Sequence, residues 1–375
     1  MGPANEQPRP TLPDYAGANL SSLVPALLRR PGERPPWLPE AAASARQVVL
    51  LVLDGLGWEQ LQAHRSRAPT LTSMEGGAIT SVAPTTTATA LCSICLGCTP
   101  AEHGLLGYKL KVGGESRDVL NVLRWRTSMG DARSILPPRT LQPRLAFEGR
   151  AVPVVSRADL AGSGFSEAHL GGSVSVGWAV ASSIAVEVES LLVGGEAFVF
   201  AYYDGVDKVA HARGLGRHYE AELSTADRLV ADVAACLPAG AALVVTADHG
   251  QVEVGSGAEP LDPDVLSEVD LLSGEARFRW LHDREGRAAA LVAAARYRYG
   301  GEAWVRTPED MVEEGWLGGP LPPHLRARLG DVAVVAYRPV AYLDPTDPGE
   351  ARLVARHGSL TSAEVLVPLL AAGAG

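Results

Sequence analysis

Long apolar runs are missing from this 375-residue chain. No stretch is long enough to span a bilayer. The N-terminus lacks a basic start followed by an apolar core, so no secretory leader is expected. The segment LSSLVPALL comes too late and is too short to serve as one. Cysteine is scarce: Cys92, Cys95, Cys98 and Cys236 are all there is. Four do not make a disulfide framework in a chain of this length, so a reducing compartment, the cytoplasm, is expected. Dense Lys/Arg blocks are also absent, and the formal net charge is -10. That balance argues against a nucleic-acid polymer or a membrane as partner. An acidic protein can still take an anionic substrate where metal ions supply positive charge locally. No internal repeat is visible.

What is present suits a large core. Apolar residues make up 46% of the chain, and 40 Gly with 27 Pro imply many turns and long loops. Residues 1–45 read as a Pro-rich arm with one short helix at about 20–29. QVVLLVLDG follows, a continuous apolar run ending in Asp54 and Gly55, as a strand buried on both faces would. GWEQLQAH reads as a helix, AITSVAP as a short strand, and TTTATALCSICLGC as a buried helix. Residues 108–170 carry more Arg, Pro and scattered charge, which suggests an inserted cap. Alternation then resumes through SVGWAVASSIAVEVESLL, and EAFVFAYYDG and AALVVTADHG are further strands. HYEAELSTADRLVADVAACL is an amphipathic helix, GDVAVVAY a strand, and SAEVLVPLLAA is expected to close the chain as a helix. Strands alternating with helices imply an α/β fold, with a mainly parallel central sheet and helices on both faces. Residues 46–375 would form that domain. Ligands of such sheets bind beyond the carboxyl ends of the strands. Asp54, Asp204, Asp207, Asp248 and His249 all fall there.

These residues have chemistry to offer, each with a plain alternative. Asp54 suits a metal ligand or a helix N-cap. Asp248 and His249 are adjacent ligand types ending a strand, with Gly250 permitting a sharp turn. Asp207 and His211 stand four apart, on one side of a helical turn, as a zinc-type pair or a salt bridge. Asp204 competes with Asp207 but is spaced less well for His211. His357, in ARHGSL, reads by default as a surface loop residue. Thr85, Thr86 and Thr87 open the buried helix, where a hydroxyl caps and where a phosphate is also welcome. A Thr hydroxyl becomes a useful nucleophile when a metal activates it.

Together these elements resemble the alkaline phosphatase superfamily, in its nucleotide pyrophosphatase/phosphodiesterase branch. The shared order is a strand-end Asp, a Thr-bearing helix, Asp-x-x-x-His, Asp-His-Gly and a late His-Gly. Five elements in order are specific where each alone is weak. PTTTATALCSICLGCTPAEHG matches the family's nucleophile segment without a gap, and Gly97, Pro100, His103 and Gly104 align Thr87 with the nucleophile. The resemblance implies an alkaline phosphatase-like catalytic domain with two divalent ions, most simply zinc. Asp207, His211 and His357 would hold one, and Asp54, Asp248 and His249 the other, with the Thr87 oxygen bound nearby. It implies hydrolysis of a small phosphoester, a nucleotide among the options, through a phospho-threonine. Ala210 replaces a family Gly, and Ala88, Thr89 and Ala90 replace Phe-Pro-Asn. Tyr108 stands where the family has an Asn that contacts a phosphoryl oxygen, so Tyr108 is expected to contact substrate.

Two other readings compete. The same site would serve a phosphonate or phosphomonoester hydrolase. A non-catalytic binding protein would keep the fold, yet decayed sites usually lose ligands, and six are present. Cys92-x-x-Cys95-x-x-Cys98 is expected to be core packing rather than a cluster site. Cys98-Thr-Pro-Ala-Glu102 lacks the Arg of the sulfatase signature. His103 is expected to serve its turn.

Overall fold

In a computed structural model of the chain, residues 7–112 and 118–374 are described. Residues 1–6 of the expected arm and 113–117 of the expected cap lie outside them. Seven strands form the central sheet, in the order Glu75–Thr80, Leu366–Gly373, Ala241–Thr246, Gln47–Leu53, Phe198–Tyr203, Pro153–Arg157, Val174–Trp178. The fold is α/β. Gln47–Leu53 pairs in parallel with Ala241–Thr246 and with Phe198–Tyr203, and the next two pairings are parallel as well. The three inner apolar runs are buried almost without interruption, which is why they show no alternation.

Residues 362–372 correct an expectation. Ser362–Val365 makes one helical turn, and Leu366–Gly373 is a strand antiparallel to both neighbours. A short apolar run buried on both faces has no period of its own to separate helix from strand. Pro368 tips the balance, because in a helix it would remove the bond to the Glu364 carbonyl. That carbonyl instead accepts from the Gly250 N–H at 2.9 Å, so the helical turn before the last strand also steadies the turn after His249.

A second sheet, antiparallel, has the order Val269–Glu275, Phe278–Asp283, Val332–Ala336, Ala303–Arg306. The expected strand at 330–337 lies here, outside the central sheet. Helix Ala288–Tyr299 buries Leu291, Ala295 and Tyr299 among Leu281, Val305 and Val334 in a core of their own. A small sheet follows the segment 84–104: Lys109–Lys111, Val119–Asn121, Arg126–Thr127 and Gly130–Asp131. The expected cap segment therefore divides: its first part forms this sheet, while Pro153–Arg157 joins the central one. The valines of PVVSR are buried, and that apolar run outweighs the charged surroundings.

The N-terminal arm is stitched to the core. Helix Leu20–Leu27 buries Leu20, Leu23, Val24 and Leu27. Asn19 caps it by accepting from the Ser21 N–H, and donates through Nδ2 to the Ser81 carbonyl at 2.8 Å. No helix among the described residues is long and apolar enough to cross a membrane.

Candidate active site

Three parallel strands deliver the acids to one rim. Asp54 follows Gln47–Leu53, Asp248 follows Ala241–Thr246, and Asp207 lies in the first turn of helix Gly205–Arg213, just beyond Phe198–Tyr203. Parallel pairing in register aligns their carboxyl ends, so residues about 150 to 200 apart in sequence converge. Helix Thr87–Leu96 is buried along its whole length, small residues letting it sit deep. Thr87 opens it, where unpaired N–H groups favour negative charge.

The side chains meet closely. Thr87 Oγ1 is 3.1 Å from His249 Nε2. The same nitrogen lies 3.5 Å from Asp54 Oδ1 and 3.4 Å from Asp248 Oδ2. His211 Nε2 is 3.2 Å from Asp207 Oδ1, and His357 Nε2 is 3.9 Å from that oxygen. Two sets have ligand atoms all within 4.8 Å of one another: Asp54, Asp248, His249, and Asp207, His249, His357. The first is the trio expected from sequence. In the second, His249 takes the place expected for His211, which stays beside Asp207. The rings of His249 and His357 stack at 3.6 Å.

The secondary contacts leave the inward-facing atoms bare. Each imidazole places Nδ1 against a backbone carbonyl: His211 on Ala355 at 2.7 Å, His249 on Gly250 at 3.1 Å, His357 on Thr85 at 2.8 Å. An Nδ1–H donating outward leaves the Nε2 lone pair facing the site, as metal-ligating histidines do. Asp248 Oδ1 accepts from the Gly55 and His249 N–H groups, both at 3.0 Å. Its Oδ2 and Asp54 Oδ1 are buried with no hydrogen-bond partner among the described residues. Buried carboxylate oxygens without partners are costly. Burial, then Asp248 and Asp207, push the Asp54 carboxyl well above its usual range. Burial, then His249 and His211, hold His357 well below its own. A neutral imidazole beside crowded carboxylates with unengaged lone pairs is a donor set that suits divalent cations.

Sequence reasoning missed several participants. Tyr202 donates to Asp54 Oδ2, and burial raises its phenol well above the usual value, so it remains a donor. Gln251 Nε2 donates to Asp207 Oδ1 at 2.8 Å. Both lie two residues from ones already singled out, Tyr202 before Asp204 and Gln251 after His249. Asp204, left as a competitor of Asp207, is held by Arg157 Nη1 at 3.0 Å and by Lys208 Nζ at 2.6 Å. Tyr108 lines the same cleft as Thr87, about 470 Å³ in volume, together with Asn121, Glu275 and Arg356. Its hydroxyl accepts from Asn121 Nδ2 at 2.6 Å. On the other side of Thr87 an apolar cavity of about 220 Å³ opens between Leu91, Val154, Phe165 and Phe200.

The motifs set aside on sequence have structural settings. Cys92, Cys95 and Cys98 are free and buried, and burial pushes the Cys98 thiol up to about 12. His103 Nε2 meets Ser93 Oγ at 2.9 Å, and its Nδ1 accepts from the Leu105 N–H, pinning the turn.

Comparison with known proteins adds three findings. The sequence pattern of the family described as type I phosphodiesterase / nucleotide pyrophosphatase matches residues 48–360. Comparison with curated protein sequences returns no match. Among solved structures, murine ectonucleotide pyrophosphatase / phosphodiesterase 5 superposes with a TM-score of 0.64 at 13% identity, covering 87% of this chain and 88% of that one. An inactive variant of the murine protein has been solved in complex with AMP. Phosphonoacetate hydrolase from Sinorhizobium meliloti 1021, in complex with phosphonoacetate, gives a TM-score of 0.57 at 18% identity over 88% of this chain and 90% of that one. At these identities the likeness is one of fold.

Proposed function

Because this chain belongs to the type I phosphodiesterase / nucleotide pyrophosphatase family, we propose that it cleaves phosphodiester or pyrophosphate bonds with Thr87 as nucleophile at a two-metal site. The observation that carries this reading is the placement of Thr87 Oγ1 at 3.1 Å from His249 Nε2, beside the two unpartnered carboxylate oxygens. Asp54, Asp248 and His249 would hold one ion, and Asp207, His211 and His357 the other. Zinc fits this mixture of imidazole and carboxylate. When bound, the pair would lower the pKa of the Thr87 hydroxyl and stabilise charge on the attacking and leaving oxygens.

The chain's own residues do the rest. Helix Thr87–Leu96 presents Oγ1 at its positive end, towards the cleft. Attack forms the Thr87 Oγ–P bond and breaks the bond from phosphorus to the leaving oxygen, which takes up a proton. Water then cleaves the phospho-threonine and restores the hydroxyl. Tyr202 and Gln251 keep Asp54 and Asp207 oriented. Tyr108 borders the phosphoryl position, and the apolar cavity beside Leu91 and Phe200 accommodates an uncharged part of the ester. The substrate on this reading is a small phosphoester, a nucleotide included, met in the cytoplasm, where buried free thiols such as Cys92 persist.

Thr87→Ala should reduce turnover of a nitrophenyl phosphodiester on the order of 10³-fold or more, with bound metal retained. An unchanged rate would refute the mechanism. The structural likeness to a phosphonate hydrolase supports one second reading, cleavage of a phosphonate or monoester at the same residues. A panel of diester, monoester and phosphonate substrates separates the two.

A further inference from the structure

The cleft that holds Thr87 contains a cation with no role so far. Arg356 is 2% exposed, yet it lines this cleft together with Thr87 and Tyr108. Its backbone is fixed from two sides. Ala355–Arg356 pairs antiparallel with Val252–Glu253, and Gly358 forms an antiparallel bridge with Thr85. That bridge lies two residues from Arg356 on one side and two from Thr87 on the other, and both side chains line the one cleft.

A buried guanidinium needs a counter-charge and acceptors for its five N–H bonds. Two neighbours have both. Arg277 is bidentate to Glu364 at 2.8 and 2.7 Å. Arg279 reaches Glu350 at 2.6 Å. Arg356 has neither in full. Its Nη2 donates to the Glu350 backbone carbonyl, its Nε has no acceptor, and no carboxylate among the described residues pairs with it. The Glu350 carboxylate is already engaged by Arg279 and by the Asp344 N–H. Among the described residues Nη1 has no hydrogen-bond partner and, unlike Nε, it is not among the fully buried atoms. A buried, incompletely paired cation at the wall of a cleft is costly unless an anion arrives to meet it.

We propose that Arg356 is the anion-binding residue of this site, donating from Nη1 to a non-bridging oxygen of the phosphoryl group at Thr87. The inference rests on the functional reading above only for what the anion is attached to. A guanidinium makes short, directional, charge-assisted bonds to phosphate oxygens, and an ammonium cannot copy their geometry. Arg356 thus works beside His357 without being a ligand itself.

The test uses the metal-loaded full chain. Inorganic phosphate is titrated calorimetrically into the parent, Arg356→Met and Arg356→Lys, and kcat/KM is measured with a nitrophenyl phosphodiester. Arg356→Met should weaken phosphate about tenfold or more and lower kcat/KM about 10²-fold, with metal content unchanged. Arg356→Lys should recover only part of each. Added guanidinium ion should restore turnover to Arg356→Ala and leave the parent unaffected. Phosphate affinity and kcat/KM within twofold of the parent in Arg356→Met would overturn the inference. So would loss of metal in step with activity, which would assign Arg356 to bracing His357. Thr87→Ala separates this from the mechanism: it should still bind phosphate, and lose that binding when Arg356→Met is added. A parent inert towards every phosphoester, yet binding phosphate through Arg356, would end the functional reading and leave the anion site standing.

Discussion

Two clusters of buried charge lie side by side in this protein, and they are built to opposite specifications. In one, Arg277 and Arg279 from the second sheet meet Glu364 and Glu350, and nearly every lone pair is used. Arg277 also donates to the carbonyls of Arg338, Val340 and Ala336, while Glu364 accepts from the Ser359 N–H and Thr361 hydroxyl. In the other, Asp54, Asp248 and Asp207 crowd together with three imidazoles, and two buried carboxylate oxygens have no partner. Asp54, Asp248 and His249 are as deeply buried as the paired cluster, but they are not as fully satisfied. The complete cluster ties the second sheet to the C-terminal segment. The incomplete one is arranged for something the polypeptide does not itself provide.

The comparison can be broken most directly at Asp248. Asp248→Asn keeps an oxygen for the Gly55 and His249 N–H groups but removes the charge. Activity should fall on the order of 10³-fold or more, with loss of bound metal. The metal-free protein should melt higher than its parent at neutral pH, because Asp54 loses a repelling neighbour. Lower stability of the metal-free variant would mean that this cluster is structural after all.

The paired cluster should answer in the opposite way. Arg277→Met leaves Glu364 buried without its cation, which should cost about 3–5 kcal/mol of stability. Denaturant melts should show that loss with or without chelator, while bound metal per folded molecule stays at the parental level. A stability change that vanished in chelator would tie Arg277 to the metal site instead.

The smallest expected effect comes from Glu275, where the clusters meet. Burial raises its carboxyl from 4.5 to about 8, against a hydrogen bond from Thr86 and the charge of Arg279, with Glu350 and Glu364 adding repulsion. Its folded value is thus above its unfolded one. Stability present below pH 4.5 is therefore lost as pH rises towards about 8, and the loss levels off beyond. Glu275→Gln should remove that slope, gaining at most a few kcal/mol relative to the parent at pH 8 and almost nothing at pH 4. Parallel stability curves for the two proteins across this window would show that Glu275 is ionised in the fold.

How much of this was legible beforehand follows from the range of the forces involved. QVVLLVL, FVFAYY and AALVVT announce strands by composition alone, because burial on both faces demands apolar residues throughout. The acids at their ends were legible for the same reason. Residues 366–373 were not, since an apolar run with no period is ambiguous until its neighbours in the sheet are known. Pro153–Arg157 was hidden by the charged loops around it.

Sequence by itself thus determined the three inner strands and which acids would stand at their carboxyl ends. It also fixed the order of elements by which the family can be recognised. Tertiary structure decided which of those acids remain free. Asp204 is spent on Arg157 and Lys208, while Asp207 keeps a hydrogen bond from Gln251 and faces the imidazoles. It also set Arg356, short of partners among the described residues, in the cleft that Thr87 lines, and gave Arg277 and Arg279 theirs. The hydrophobic term acts along a few consecutive residues and is read locally. The pairing of charges depends on distances of a few ångströms between segments far apart in the chain, and only the folded arrangement sets those.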